Sequence, residues 1–149
     1  MPTEILSQVI DRPVADVFAV VADITTYPDW DPPVKAARQA TDGEVEVGTL
    51  FETEVSGFGT QVMEVTEFEP GRGIRSTAQS RGLDFAHRLT FSAEGQSTRI
   101  DHEVVLTPKG VLRVLSPLLG VWVRRTLAGS AAGLQQYCEG LPGASRADD

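Results

Sequence analysis

The two histidines of the chain, His87 and His102, are the residues best suited to chemistry near neutral pH. Each falls on the apolar side of a segment in which apolar and polar residues alternate, as is typical of strands. The apolar sides consist of Leu83, Phe85, His87, Leu89 and Phe91 in one segment and of Ile100, His102, Val104 and Leu106 in the other. The turn residues Glu94 and Gly95 between them indicate a hairpin. In that hairpin the two imidazoles lie directly opposite or diagonal to each other, according to the register.

Two adjacent imidazoles on an apolar wall can orient a carbonyl or hydroxyl group of a ligand, or transfer protons. His87 and His102 are therefore the candidate catalytic residues. The alternative is a pair of neutral structural histidines that hydrogen-bond each other, a nearby side chain or buried water. No inward carboxylate is evident beside either histidine to orient it as a base. The sequence favours binding over catalysis and leaves enzymatic activity open.

Other kinds of site have less support in the sequence. Two histidines and the distant Cys138 lack the spacing of metal ligands, so we expect no metal site. The chain also lacks a glycine-rich phosphate loop that opens a helix, a dinucleotide fingerprint and a serine-centred nucleophile elbow. We therefore expect no cofactor.

The histidines must be positioned by a sheet, because alternating patterns and turn residues predict seven strands. The strands are Glu4 to Asp11, Val34 to Ala40, Thr49 to Ser56, Gln61 to Glu69, Ile74 to Ser80, Leu83 to Ser92 and Thr98 to Thr107. Short connections between successive strands imply an antiparallel meander. Between the first two strands, apolar residues from Val14 to Val21 recur at helical spacing, and Asp23 can cap a second short helix. The fold class is α+β.

A long helix is predicted from Ser116-Pro117 towards Gly140, with one apolar stripe that must lie on the sheet. Its middle, Ala128 to Gly133, consists only of small residues. A twisted sheet curls, and small residues leave its concave side unfilled, so we expect an internal apolar pocket. The alternative is close packing of helix on sheet through the same small residues, which leaves no void.

The expected pocket wall combines aromatic residues, the two histidines and the helix face. The candidate ligand-binding residues are Trp30, Phe51, Phe85, His87, Phe91, His102, Trp122, Leu127 and Ala131.

Composition limits the partners and the compartment. The chain has 149 residues and a net charge of −8, and an acidic surface repels nucleic acid. A single cysteine and the absence of a leader pattern indicate a cytoplasmic protein. The longest apolar run, Gly110 to Val123, is too short and too interrupted for stable membrane insertion. We expect a monomer or homodimer that binds a small hydrophobic ligand.

The order of elements resembles the START-like (SRPBCC) helix-grip superfamily, in particular its polyketide cyclase/dehydrase (lipid transport) branch. The resemblance is carried by Pro13 to Phe18, Asp23 to Pro32, Phe68 to Gly71 and Ser116 to Leu119. Residues 143–149 are small, polar and acidic, so we expect a flexible acidic tail there. The resemblance implies a helix-grip domain over residues 1–142. It also implies a deep pocket for lipids, polyketides, or aromatic or isoprenoid molecules. Members of the superfamily include carriers or sensors, cyclase or dehydratase enzymes, and protein-interaction modules.

Overall fold

Seven strands form one antiparallel sheet in the computed structural model, which describes residues 3–57, 59–80 and 82–141. The strands are β1 (Thr3–Ile10), β2 (Val34–Gln39), β3 (Leu50–Val55), β4 (Gly59–Glu69), β5 (Gly73–Gln79), β6 (Leu83–Glu94) and β7 (Ser97–Pro108). Their order is β1-β7-β6-β5-β4-β3-β2. Consecutive strands therefore pair with each other, except that β1 pairs with β7 and not with β2. The predicted tail at 143–149 lies outside the described residues.

Two short helices connect β1 to β2, as predicted. The first, α1 (Val14–Ala22), buries Val17, Phe18, Val20 and Val21. The ring of Phe18 packs against that of Phe91 on β6, with centroids 5.1 Å apart. A 3₁₀ turn at Ile24–Thr26 follows, in which the Asp23 side chain accepts a hydrogen bond from the Thr25 backbone. In the second helix, α2 (Tyr27–Trp30), the rings of Tyr27 and Trp30 pack against each other at a tilt of 56°, with centroids 4.5 Å apart. This connector covers one end of the sheet.

The long helix α3 (Ser116–Glu139) lies across the concave side of the curved sheet. The buried residues at steps of three or four along it are Val123, Leu127, Ala131, Leu134 and Cys138, which is the predicted stripe. The predicted α+β helix-grip architecture is confirmed. Among the described residues, no helix has both the length and the apolar character needed to span a bilayer.

Two glycines of α3 have different roles in the packing. A Cβ atom on Gly133 would overlap the carbonyl oxygen of Trp30, at the end of α2. A Cβ atom on Gly129 would meet nothing within 4 Å. Gly133 is therefore required for the close approach of α2 to α3, whereas Gly129 leaves open space beside the helix.

We predict that Gly133→Ala lowers the free energy of unfolding by about 1–3 kcal/mol, because the overlap with Trp30 outweighs the better helix propensity of alanine. Gly129→Ala is the matched control, and it should raise the free energy of unfolding by up to about 1 kcal/mol. Urea denaturation of the two variants measures both values. Equal effects of the two substitutions would show that α2 and α3 are not in close contact.

Candidate functional site

A cavity of about 110 Å³ lies between the sheet and α3. Its apolar lining is formed by Pro33, Val34, Val55, Met63, Leu83, Phe85, Val104, Trp122, Val123 and Leu127. Its polar lining is formed by Tyr27, Asp31, Gln61, His87, Thr126 and Ser130. An apolar cavity of roughly 150 Å³ admits benzene, so this cavity is slightly smaller than one known to hold a single ring. The mostly apolar wall with a few polar groups is typical of a small-molecule site.

The two histidines are diagonal neighbours across β6 and β7. Glu94 pairs with Ser97, so the hairpin turn is Gly95-Gln96, and Gly95 adopts a positive φ of 62° there. This register places Leu89, not His87, opposite His102. The ring centroids of His87 and His102 are 5.4 Å apart, and Nε2 of His87 lies 3.2 Å from Nδ1 of His102. The predicted neighbouring imidazoles are present, in the diagonal one of the two registers.

Gln8 on β1 fixes the tautomers of both histidines. Its amide nitrogen donates to the carbonyl oxygen of Ala131 on α3, 2.9 Å away, and a carbonyl can only accept. The amide oxygen of Gln8 therefore faces Nε2 of His102 at 2.6 Å and accepts a hydrogen bond from its N–H group. Nδ1 of His102 is then unprotonated and accepts a hydrogen bond from Nε2 of His87. This chain of hydrogen bonds leaves Nδ1 of His87 as an acceptor.

Burial keeps both imidazoles neutral. Burial, together with a smaller effect of the neighbouring His102, lowers the pKa of His87 to about 3. Burial also lowers the pKa of His102 to about 4, although Asp101 opposes this shift. Imidazoles with such pKa values are weak bases at neutral pH. The pair is thus better suited to orienting a ligand than to taking up protons from it.

Asp31 is a residue of the cavity that the sequence analysis missed. Ser130 on α3 donates to its Oδ1 at 2.5 Å, and burial raises the pKa of Asp31 to about 6. Among the described residues Asp31 forms no ion pair. It is the inward carboxylate that the sequence did not reveal. It lies in the proline-rich connector after α2, where neither helical nor strand periodicity indicates which way a side chain points. The available signal was an acidic residue between Trp30 and two prolines.

Four of the nine predicted ligand-binding residues line the cavity, namely Phe85, His87, Trp122 and Leu127. Trp122 is also 39 % exposed, so it forms part of the cavity rim. His102 is not among the lining residues and lies behind His87, to which it is hydrogen-bonded. The structure thus brings together two of the three predicted residues of β6, Phe85 and His87, with Trp122 and Leu127 of α3.

The other four predicted residues lie elsewhere. Phe51 is 0 % exposed and belongs to the hydrophobic core, where Phe91 packs on Phe18. Trp30 packs on Tyr27 and lines a separate surface depression beside Gly133. Ala131 is buried against the sheet, and its carbonyl oxygen is the acceptor for Gln8. These four residues are buried but do not line the cavity.

The fold and the cavity define a START-like helix-grip protein. A family model described as polyketide cyclase / dehydrase and lipid transport matches residues 5–139. The chain belongs to this family, as the sequence resemblance predicted. The search of curated proteins gave no match.

Solved structures from several bacteria share the fold. A START superfamily protein from Mycobacterium smegmatis has a TM-score of 0.80 at 16% identity, over 92% of this chain and 97% of that one. The protein TTHA0849 from Thermus thermophilus has a TM-score of 0.77 at 14% identity, over 92% and 97%. The Zhui aromatase/cyclase from Streptomyces sp. R1128 has a TM-score of 0.76 at 15% identity, over 97% of both chains. At these identities the likeness shows the fold alone.

We predict that Asp31→Asn stabilises the protein at neutral pH. The folded-state pKa of Asp31, about 6, lies above its ordinary value of 3.8, so ionising this group costs stability as the pH rises through that interval. The cost is complete above about pH 6, where asparagine should raise the free energy of unfolding by about 2 kcal/mol. Below about pH 4 the gain should vanish, because Asp31 is then neutral in both states.

Urea denaturation across this pH range measures the difference between Asp31→Asn and the wild-type protein. Asp29→Asn is the matched control, because Asp29 is an exposed carboxylate two residues away. It should give a difference near zero at every pH. A gain from Asp31→Asn that persists unchanged in acid would show that Asp31 is not held in an apolar environment.

Proposed function

We propose that the protein binds a small hydrophobic molecule in the cavity between the sheet and α3 and acts as its carrier or sensor. The single observation that carries the proposal is the cavity itself, a mostly apolar space that the core does not fill. Burying an apolar ligand there removes its surface from water, at about 25 cal/mol per Å². The family, which includes lipid transport in its description, supports the same function.

The size of the cavity limits which ligands fit without movement. At about 110 Å³ the space is close to that needed for one ring or a short branched chain. A lipid or a multi-ring polyketide requires the rim around Trp122 to open. A ligand that opens the rim must offset the cost of that movement with its own apolar contacts, so its affinity depends on the apolar area that it buries.

We predict that small apolar molecules such as toluene raise the melting temperature of the wild-type protein and do not raise that of Val104→Phe. Val104 is 2 % exposed and its side chain lines the cavity, so a phenyl ring at this position occupies the ligand's space. Val105→Phe is the matched control, because Val105 is the next residue of β7 and points to the other face of the sheet.

Thermal-shift measurements with a panel of apolar molecules test this prediction. Val105→Phe should keep the shift of the wild-type protein. If no molecule of the panel raises the melting temperature of the wild-type protein, the proposal fails. If Val104→Phe keeps the full shift, the ligand binds elsewhere.

A second candidate function is catalysis of the cyclase or dehydratase type, for which Asp31 supplies a specific argument. Asp31 and His87 line the same cavity, and proton transfer near neutral pH is most efficient for a group whose pKa lies near that pH. Asp31, with a pKa of about 6, meets this condition better than either histidine. In this candidate function Asp31 transfers the proton and the neutral His87 orients the substrate.

For the enzyme candidate we predict that Asp31→Asn lowers kcat on a polyketide-type substrate by about 100-fold or more, with little change in substrate affinity. The pH profile of kcat should show an apparent pKa near 6, which the variant loses. Asp29→Asn should leave kcat unchanged. Turnover that persists in Asp31→Asn would exclude this residue as the proton-transfer group.

A further inference from the structure

Several polar groups of the cavity already use their hydrogens within the protein. The hydroxyl of Tyr27 donates to the carbonyl oxygen of Val21 at 3.2 Å. The hydroxyl of Ser130 donates to Oδ1 of Asp31. A ligand inside the cavity therefore finds neither hydroxyl hydrogen available while these bonds persist.

His87 offers the cavity an acceptor and no donor, because its hydrogen is also used in a bond within the protein. Its Nε2 hydrogen is donated to Nδ1 of His102, and the orientation of His102 is set in turn by Gln8. Gln8 cannot reverse its amide without placing an oxygen against the carbonyl oxygen of Ala131. The free nitrogen of His87 is thus Nδ1, a bare lone pair on a side chain that lines the cavity.

Asp31 adds a second acceptor. Only its Oδ1 accepts a hydrogen bond within the described part of the chain, so Oδ2 is left with both lone pairs. Two other polar residues of the lining, Gln61 and Thr126, can both donate and accept, so they do not discriminate between ligands. The groups that do discriminate, His87 and Asp31, favour a donor.

From this arrangement we infer that the cavity selects apolar molecules carrying a hydroxyl donor, such as phenols and alcohols, over molecules of the same shape that lack it. The inference rests on the proposed binding function and specifies its ligand class. A hydroxyl satisfies an acceptor that a methyl group would leave buried without a partner.

Phenol and toluene are the test pair, because they differ by one hydroxyl in place of one methyl and each is a single ring. Their dissociation constants are measured by NMR titration of the full-length protein and of His87→Phe, which keeps a ring at the position but removes the acceptor. We expect the preference for phenol, expressed as the ratio of the two constants, to fall about tenfold in His87→Phe. The ratio compares two ligands on one protein, so a general loss of stability in the variant cancels.

A spectroscopic measurement tests the tautomer without any substitution. The chain has only two histidines, so the imidazole nitrogens of a ¹⁵N-labelled sample are resolved and readily assigned. At neutral pH both rings should be in the Nε2–H form, and phenol should shift Nδ1 of His87 while toluene does not. Asp31→Asn is a second variant. It should also weaken the preference for phenol, because the amide nitrogen of asparagine, which only donates, can take the place of the acceptor Oδ2.

Each outcome decides between the two proposals. If both probes bind and the preference is the same in the wild-type protein and both variants, the hydroxyl selectivity is wrong and the binding function stands. A protonated Nδ1 on His87 also overturns the selectivity. If neither probe binds the wild-type protein, the binding function itself fails and the selectivity fails with it.

Discussion

A chain of hydrogen bonds from His87 through His102 and Gln8 to the backbone of Ala131 joins three adjacent strands to α3. The chain begins at the cavity wall and ends at a carbonyl group, which cannot change its role. This last acceptor determines the direction of every hydrogen bond in the chain. Which nitrogen of His87 is protonated therefore depends on how α3 packs on the sheet. The packing of α3 and the chemistry of the cavity are therefore linked. A displacement of α3 at Ala131 would change which nitrogen of His87 carries a hydrogen, and so whether His87 donates or accepts a hydrogen bond in the cavity.

Asp31, the other titratable group discussed for the cavity, is stabilised less well than the histidine pair. The carboxyl group of Asp31 lies in an environment that disfavours its charge, and the hydroxyl of Ser130 compensates only in part. An asparagine would occupy the same place at a lower cost in folding free energy. Titratable groups held in unfavourable surroundings are concentrated at functional sites, because folding alone gives no reason to keep them there. The carboxylate and the neutral imidazole pair make the cavity chemically asymmetric, with the negative charge on the side of the connector.

The sequence predicted the elements well and the cavity wall only in part. Alternation in β6 and β7 was sufficient to place His87 and His102 on one face, because the two-residue period of a strand leaves little freedom. It was not sufficient to separate Phe85, which faces the cavity, from Phe91, which faces Phe18, because both lie on the same side of β6. That distinction depends on which part of α1 or α3 covers each position, and this is a property of the tertiary packing. Asp31 was missed because a proline-rich segment has no period from which a direction can be read.

Gln8 lies on β1, the strand at one edge of the sheet, and β1 pairs with β7 alone. Edge strands open more readily than central ones, because fewer backbone hydrogen bonds must break. An opening of β1 that took Gln8 away from His102 would expose this imidazole to water and bring its pKa back towards the ordinary value. Exchange of the imidazole hydrogens with solvent is consequently tied to fluctuations of the edge strand. The rate of that exchange reports on how often the cavity loses its fixed pattern of donors and acceptors.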